Sequence, residues 1–165
     1  MTDPMNLKDL FKRAVDLMKE NANQEAESVC LQALETDPSD VNFIALLGTS
    51  LMRQGKLNEA EQTLRRVVKI APGFPRAQED LGTALLNLKK PSEAIPFLVK
   101  AVELNPQSAE SFFKLGGALK ATGHDDKAEE AGKKVKKDIE YDDKKDKKNE
   151  LSNAKAALKA SAAPQ

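Results

Sequence analysis

The chain has 165 residues with 26 basic and 26 acidic side chains, so it lacks the basic excess expected of a nucleic-acid binder. One cysteine excludes an internal disulfide framework, and one cysteine with one histidine cannot make a metal-ligand set of the usual kind. No apolar stretch approaches the ~20 residues that span a bilayer, and Met1-Thr2-Asp3-Pro4-Met5 is no signal peptide, which leaves a cytoplasmic protein as the expectation.

Asp3-Pro4 reads as a helix start. From there, apolar helical patterns of roughly 14 residues alternate with short polar turns. The turns include Gln54-Gly55-Lys56, Leu88-Lys89-Lys90-Pro91 and Thr122-Gly123-His124, where glycine suits a left-handed helix end. Pro38, Pro72 and Pro106 lie 34 residues apart, each just after a second helical pattern, where proline stops propagation. Pro96 falls inside a helix and is expected to remove one backbone hydrogen bond and bend it. Ser39-Asp40 and Asp125-Asp126 stand where capping and the helix dipole favour them.

The same step of 34 links Ala26, Ala60, Ala94 and Ala128; Gly48, Gly82 and Gly116; Leu47, Leu81 and Leu115; and Leu17, Leu51, Leu85 and Leu119. The phrases Leu47-Gly48…Leu51…Ala60…Leu64…Pro72 and Leu81-Gly82…Leu85…Ala94…Leu98…Pro106 resemble the tetratricopeptide repeat family, as does Leu115-Gly116…Leu119…Ala128. Four units are expected, over residues 7–40, 41–74, 75–108 and 109–142. The resemblance implies an all-α, right-handed superhelical solenoid of helix-turn-helix hairpins. Small Gly48 and Ala60 on opposing helices would allow a close crossing, with Leu47, Leu51 and Leu64 filling the space beside them.

The terminal units depart from the pattern, as ends of a solenoid do. Arg13-Ala14 replaces the Leu-Gly pair in the first, and Cys30 stands where Leu64 and Leu98 recur. Gly132 takes that place in the fourth, and Glu140 stands where a proline would be, so a long charged capping helix is expected past Glu140. Residues 143–165 read as a charged, then Ala-rich, helix or tail. Residues 1–126 hold fifteen basic and eighteen acidic side chains, and 127–165 hold eleven and eight. The mixed clusters from Lys133 to Lys148 fit a solvated helix with i,i+4 pairs, and the interleaved acids oppose phosphate binding.

Catalytic chemistry has no foothold. Gly116-Gly117 sits within a helical register and lacks the Lys-Ser/Thr of a phosphate loop. His124 is a turn residue with no evident nucleophile, and Cys30 falls on a core register as a small filler. No cofactor is expected.

In the family resembled here, the first helices of the hairpins line a concave surface that binds peptides or helices. Carried onto this chain, that groove comprises Phe11, Val15 and Met18, then Asn42, Thr49 and Arg53. Arg76, Asp80, Thr83 and Asn87 follow, and Phe113, Lys114 and Gly117 close it. Helical spacing sets Asn42, Thr49 and Arg53 on a face away from the Leu-Gly-Leu stripe. Apolar groups cluster toward the two ends and polar ones between them, while Arg76 and Asp80 stand at i,i+4 and can pair. Chaperone-binding relatives clamp a terminal carboxylate with Lys and Asn; Phe11, Val15, Ala45 and Leu46 replace those residues, so chaperone-tail binding is not expected.

The leading expectation is a non-catalytic scaffold with a protein or peptide partner of unknown identity. Two rivals stand beside it. One is the N-terminal arm of a larger enzyme, such as a sulfotransferase-like or glycosyltransferase-like protein. The other is self-assembly through the solenoid ends into a homo-oligomer.

Overall fold

The helices of this chain between residues 7 and 121 begin and end on registers that recur every 34 residues. The computed structural model describes residues 6–134, 137, 148, 152 and 154–156. It contains α1 (Leu7–Lys19), α2 (Asn23–Thr36), α3 (Val41–Arg53), α4 (Leu57–Ile70), α5 (Pro75–Asn87), α6 (Pro91–Leu104) and α7 (Ala109–Ala121), and 125–134 is again helical. The expected helix start at Asp3-Pro4 lies outside the described residues, as do most of the capping helix and the 143–165 segment.

Where polar caps occur, side chains meet the backbone donors that helix starts leave unpaired. Asn6 Oδ1 accepts from the Asp9 N–H at 2.9 Å. Asp40 Oδ1 accepts from Asn42 and Phe43 at 2.9 and 3.3 Å, the capping role read from Ser39-Asp40. Ser108 Oγ accepts from Ser111 at 3.2 Å.

At the other end of each hairpin, the residue before proline leaves the helical region because the proline ring crowds it. Asp37, Ala71 and Asn105 share φ values of −133, −131 and −135°. Pro96 sits within α6 without ending it. The turn inside each hairpin has one residue at positive φ: Asn21 (61°), Gly55 (77°), Lys89 (61°) and Gly123 (80°), all on a single 34-residue register. Lys89 accepts there the steric cost that glycine avoids.

Consecutive helices pack as antiparallel-style neighbours, and contacts also join α1 to α3, α3 to α5 and α5 to α7. No corresponding contacts join α2 to α4 or α4 to α6. The odd-numbered helices therefore form the inner side of a curved stack and the even-numbered ones its outer side. About four helix-turn-helix units result, with an all-helical core of Leu, Ala and Val joined by Phe43, Ile44 and Cys30.

The tightest packing is at the glycine register. A Cβ on Gly48 would lie 2.7 Å from Leu64 Cγ and Cδ2, and one on Gly82 would lie 2.6 Å from the same atoms of Leu98. Leu64 and Leu98 are fully buried, so each leucine occupies the slot its glycine leaves. The close crossing expected of Gly48 and Ala60 is thus filled specifically by Leu64. At Gly116 the nearest atoms are Ala128 O at 3.6 Å and Ala131 Cβ at 3.7 Å, because Gly132 supplies no side chain there.

Equivalent substitutions should therefore differ in sign. Gly48→Ala and Gly82→Ala should each cost about 1–3 kcal/mol by overpacking. Gly116→Ala should be neutral or gain up to about 1 kcal/mol from helix propensity. Urea unfolding of the three single variants measures this, and equal losses at all three sites would contradict the slot. Lys89→Gly should raise stability by about 0.5–1 kcal/mol by relieving the left-handed backbone, less glycine's entropic cost. Thermal unfolding is the measurement, and a lowered Tm would refute it.

Candidate functional site

The inner face is built from the odd-numbered helices, whose side chains three and four residues apart stack along it. Two open clefts of different chemistry bear on function, one across this face and one beside α7 at the end of the stack. The first, about 340 Å³, lies across α1, α3 and α5 and is lined by Val15, Met18, Lys19, Leu46, Thr49, Arg53 and Arg76. The second, about 440 Å³, lies between α7 and the helical 125–134 stretch and is lined by Phe113, Gly116, Gly117, Lys120, Asp125, Ala128 and Glu129. Phe113 there is 75 % exposed.

Of the residues expected in the groove, Val15, Met18, Thr49, Arg53 and Arg76 come together in the first cleft, and Phe113 and Gly117 in the second. Phe11, Asn42, Asp80, Thr83, Asn87 and Lys114 line neither. Phe11 packs edge-on against Phe43 with ring centroids 5.7 Å apart. Asn42 and Asn87 are exposed, and the Thr83 hydroxyl donates back to the Glu79 carbonyl at 2.8 Å.

Three of the expected residues are buried and serve as the groove's support. Met18 and Thr49 are less than a tenth exposed, and Asp80 is 2 % exposed. The Thr49 hydroxyl donates to Asp80 Oδ2 at 2.6 Å, and Arg76 Nε lies 3.1 Å from Asp80 Oδ1. Both carboxylate oxygens are thus committed within the protein. Burial pushes the Asp80 carboxyl above its ordinary value, only partly offset by Thr49 and Arg76. The Arg76 guanidinium is held above its own by Asp80.

A second bridge joins α5 to α7. Glu79 accepts a short hydrogen bond from the Ser111 hydroxyl and pairs with Lys114 at 3.2 Å, while Lys114 also pairs with Glu110 at 2.7 Å. Ser111 was not anticipated as part of the face. Its signal was a polar residue on the register Phe43, Ala77, Ser111, matched by a lone acid on Ala45, Glu79, Phe113. Lys19 was also missed, because it stands one residue past the Val15–Met18 stripe.

Arg53 Nη1 donates to the Met18 carbonyl at 3.0 Å, fixing its guanidinium at the end of α1. Among the described residues no three His, Cys, Asp or Glu side chains converge as metal ligands, and no helix is long and apolar enough to cross a membrane. His124 stands in its turn with Nδ1 2.9 Å from Thr122 Oγ1. The Cys30 thiol is fully buried and pushed up to about 12 by burial and then by Glu27, so it stays protonated as a core filler.

These features define a helical-repeat solenoid with an open, polar-centred inner face. The chain belongs to the tetratricopeptide repeat family: family models described as tetratricopeptide repeat match residues 17–84 and 75–108. Its fold is similar to a crystal structure of MamA (TM-score 0.79, 20 % identity, covering 86 % of this chain and 83 % of that one). It is also similar to MamA residues 41 to the end from Desulfovibrio magneticus RS-1 (TM-score 0.76, 24 % identity, 82 % and 77 % covered). No curated protein matches the sequence.

The bridging carboxylates set an acid sensitivity. Lys56, aided by Gln54 and opposed by burial, holds Glu27 below its ordinary value. Burial pushes Glu61 and Glu79 up, but Lys90 and Arg65, and Ser111 and Lys114, outweigh it and hold both below theirs. Such groups stabilise the native state fully above the ordinary Glu pKa of ~4.3 and lose that contribution as pH falls through the lowered native values. Asp80, raised, acts in the opposite sense. Glu79→Gln should therefore cost about 1–3 kcal/mol at pH 7 and distinctly less at pH 3. Urea unfolding at both pH values measures the difference, and equal losses would show that the ionised carboxylate is not the source.

Proposed function

We propose that this protein is a non-catalytic interaction scaffold that holds a peptide segment or helix of a partner protein along the inner face of its odd-numbered helices. The observation that carries this reading is the first cleft. It spans three helices from successive units and joins an apolar floor to exposed cations, an arrangement suited to a side chain and backbone rather than to a reacting centre. Lys19, Arg53 and Arg76 are the exposed polar groups lining that cleft, with Asn42 exposed further along α3, and Asn and Arg bind peptide backbone and carboxylates. Affinity in the micromolar range is expected, since the groove offers a standard or smaller contact area.

A second reading, end-to-end self-assembly, is favoured by the second cleft. Ala45, Gly48, Thr49 and Met52 of α3, and Glu79, Gly82, Thr83 and Leu86 of α5, stand two repeats and one repeat, respectively, before Phe113, Gly116, Gly117 and Lys120. Those earlier positions support the next odd-numbered helix through Thr49–Asp80 and Glu79–Ser111. Light scattering that finds a monomer at high concentration removes this reading.

Affinity capture from the native lysate tests the scaffold reading. Wild type and an Asn42→Ala/Arg53→Ala/Arg76→Ala variant are compared side by side, after circular dichroism verifies that both fold. The wild type should retain specific partners and the variant should lose them by about tenfold or more. Partners retained equally by both would count against the groove.

A further inference from the structure

We propose that the cleft across α1, α3 and α5 takes an acidic side chain of an internal partner segment, with an aliphatic neighbour seated on Val15, Met18 and Leu46. This assignment rests on the scaffold reading and adds the chemistry of the ligand.

Charge complementarity carries it. Three cations, Lys19, Arg53 and Arg76, line the cleft, and no carboxylate does. The nearby acids are already engaged. Asp80 lies beneath the surface with one oxygen on Thr49 and the other on Arg76, and Asp16 sits 3.6 Å from Lys19 beside the cleft. Glu79 and Glu110 also act on Arg76 from a neighbouring cleft, but both are paired with Lys114. Arg53 has no carboxylate partner among the described residues. Its Nη1 is held by the Met18 carbonyl, which orients the planar group and leaves its remaining donors for a ligand. Arg76 is likewise oriented by Asp80 through Nε, and its side chain is more than half exposed at the cleft.

Two pre-oriented guanidinium groups at the rim of an apolar floor suit a carboxylate on a short side chain with a methylene-rich neighbour. The Met18 carbonyl belongs to the last turn of α1, where the helix dipole is negative. An anion there is held by the guanidinium groups against that partial charge, and their planar fork fits a carboxylate bidentately. Lys19 adds a flexible third cation at the edge.

The test uses the full chain and an immobilised library of nonapeptides. Their C-termini are amidated, the central position is Asp, Glu, Gln, Lys or phosphoserine, and the flanks are degenerate. Bound sequences should be enriched in Asp or Glu beside Leu, Ile or Met, and the Glu-over-Gln preference should be about tenfold at low salt and shrink as salt rises. Arg53→Gln should abolish that preference while keeping the apolar one, and Arg53→Lys should restore part of it. Lys69→Gln, on the outer face of α4, should leave both unchanged.

Binding without acid preference, a preference for phosphoserine, or a preference that survives Arg53→Gln would overturn this assignment alone. Selection that appears only when the amidated end is replaced by a free carboxylate would overturn it in favour of a C-terminal ligand. A library in which nothing is enriched would overturn the scaffold reading with it.

Discussion

The insertion of Leu64 against Gly48, repeated by Leu98 against Gly82, sets how closely the two helices of a hairpin approach. Everything outward of that crossing follows from it. A side chain at either glycine would drive the paired helix away and shift the odd-numbered helices that form the inner face. The ends of the stack use the same site with different volumes. Ala14 faces a smaller filler, Cys30, and both are fully buried. At the other end Gly132 stands on the filler register of Gly116, and among the described residues only Ala128 O and Ala131 Cβ come near the slot. Over the first three units filler and slot thus match in size, as close packing requires, and in the fourth the match is lost.

Polar bridges between units act on top of that interlock. Glu27 pairs with Lys56 at 2.9 Å and Glu61 with Lys90 at 3.0 Å, one repeat later on the same registers. The third step substitutes Ile95 and His124, and the ladder stops. On the inner side, Thr49 reaches Asp80 and Glu79 reaches Ser111 and Lys114. The partly exposed pairs Glu27–Lys56 and Glu61–Lys90 contribute about 1 kcal/mol or less each. The buried Asp80 matters differently: removing its partners would strand a carboxylate without water. The polar centre of the inner face therefore has a structural half beneath a half that faces solvent.

Much of this was legible because its causes are local. Proline after a helix, aspartate at a helix start and glycine in a turn act through the backbone of neighbouring residues, and a period of 34 repeats those signals. The Arg76–Asp80 pair was readable for the same reason, being one helical turn apart. What sequence periodicity missed was the depth of α5. A simple amphipathic reading gives a helix one buried face, but α5 touches α3, α4, α6 and α7. Its residues Ala77 to Gly82 are consequently buried in an unbroken run, Gln78, Glu79 and Asp80 included. Contacts such as Thr49–Asp80 and Glu79–Ser111 link different units, and no local pattern announces them. Lys89 at positive φ was hidden because lysine carries no turn signal, though its register with Gly55 and Gly123 marked it.

A double-mutant cycle between Gly48→Ala and Leu64→Ala tests the interlock most directly. Leu64→Ala alone should cost about 2–5 kcal/mol through the cavity it leaves. In that background Gly48→Ala should become neutral or favourable, giving an interaction energy of about 1–3 kcal/mol. Additive losses would mean that Leu64 does not occupy the space Gly48 leaves, and would contradict the account of how the stack is built.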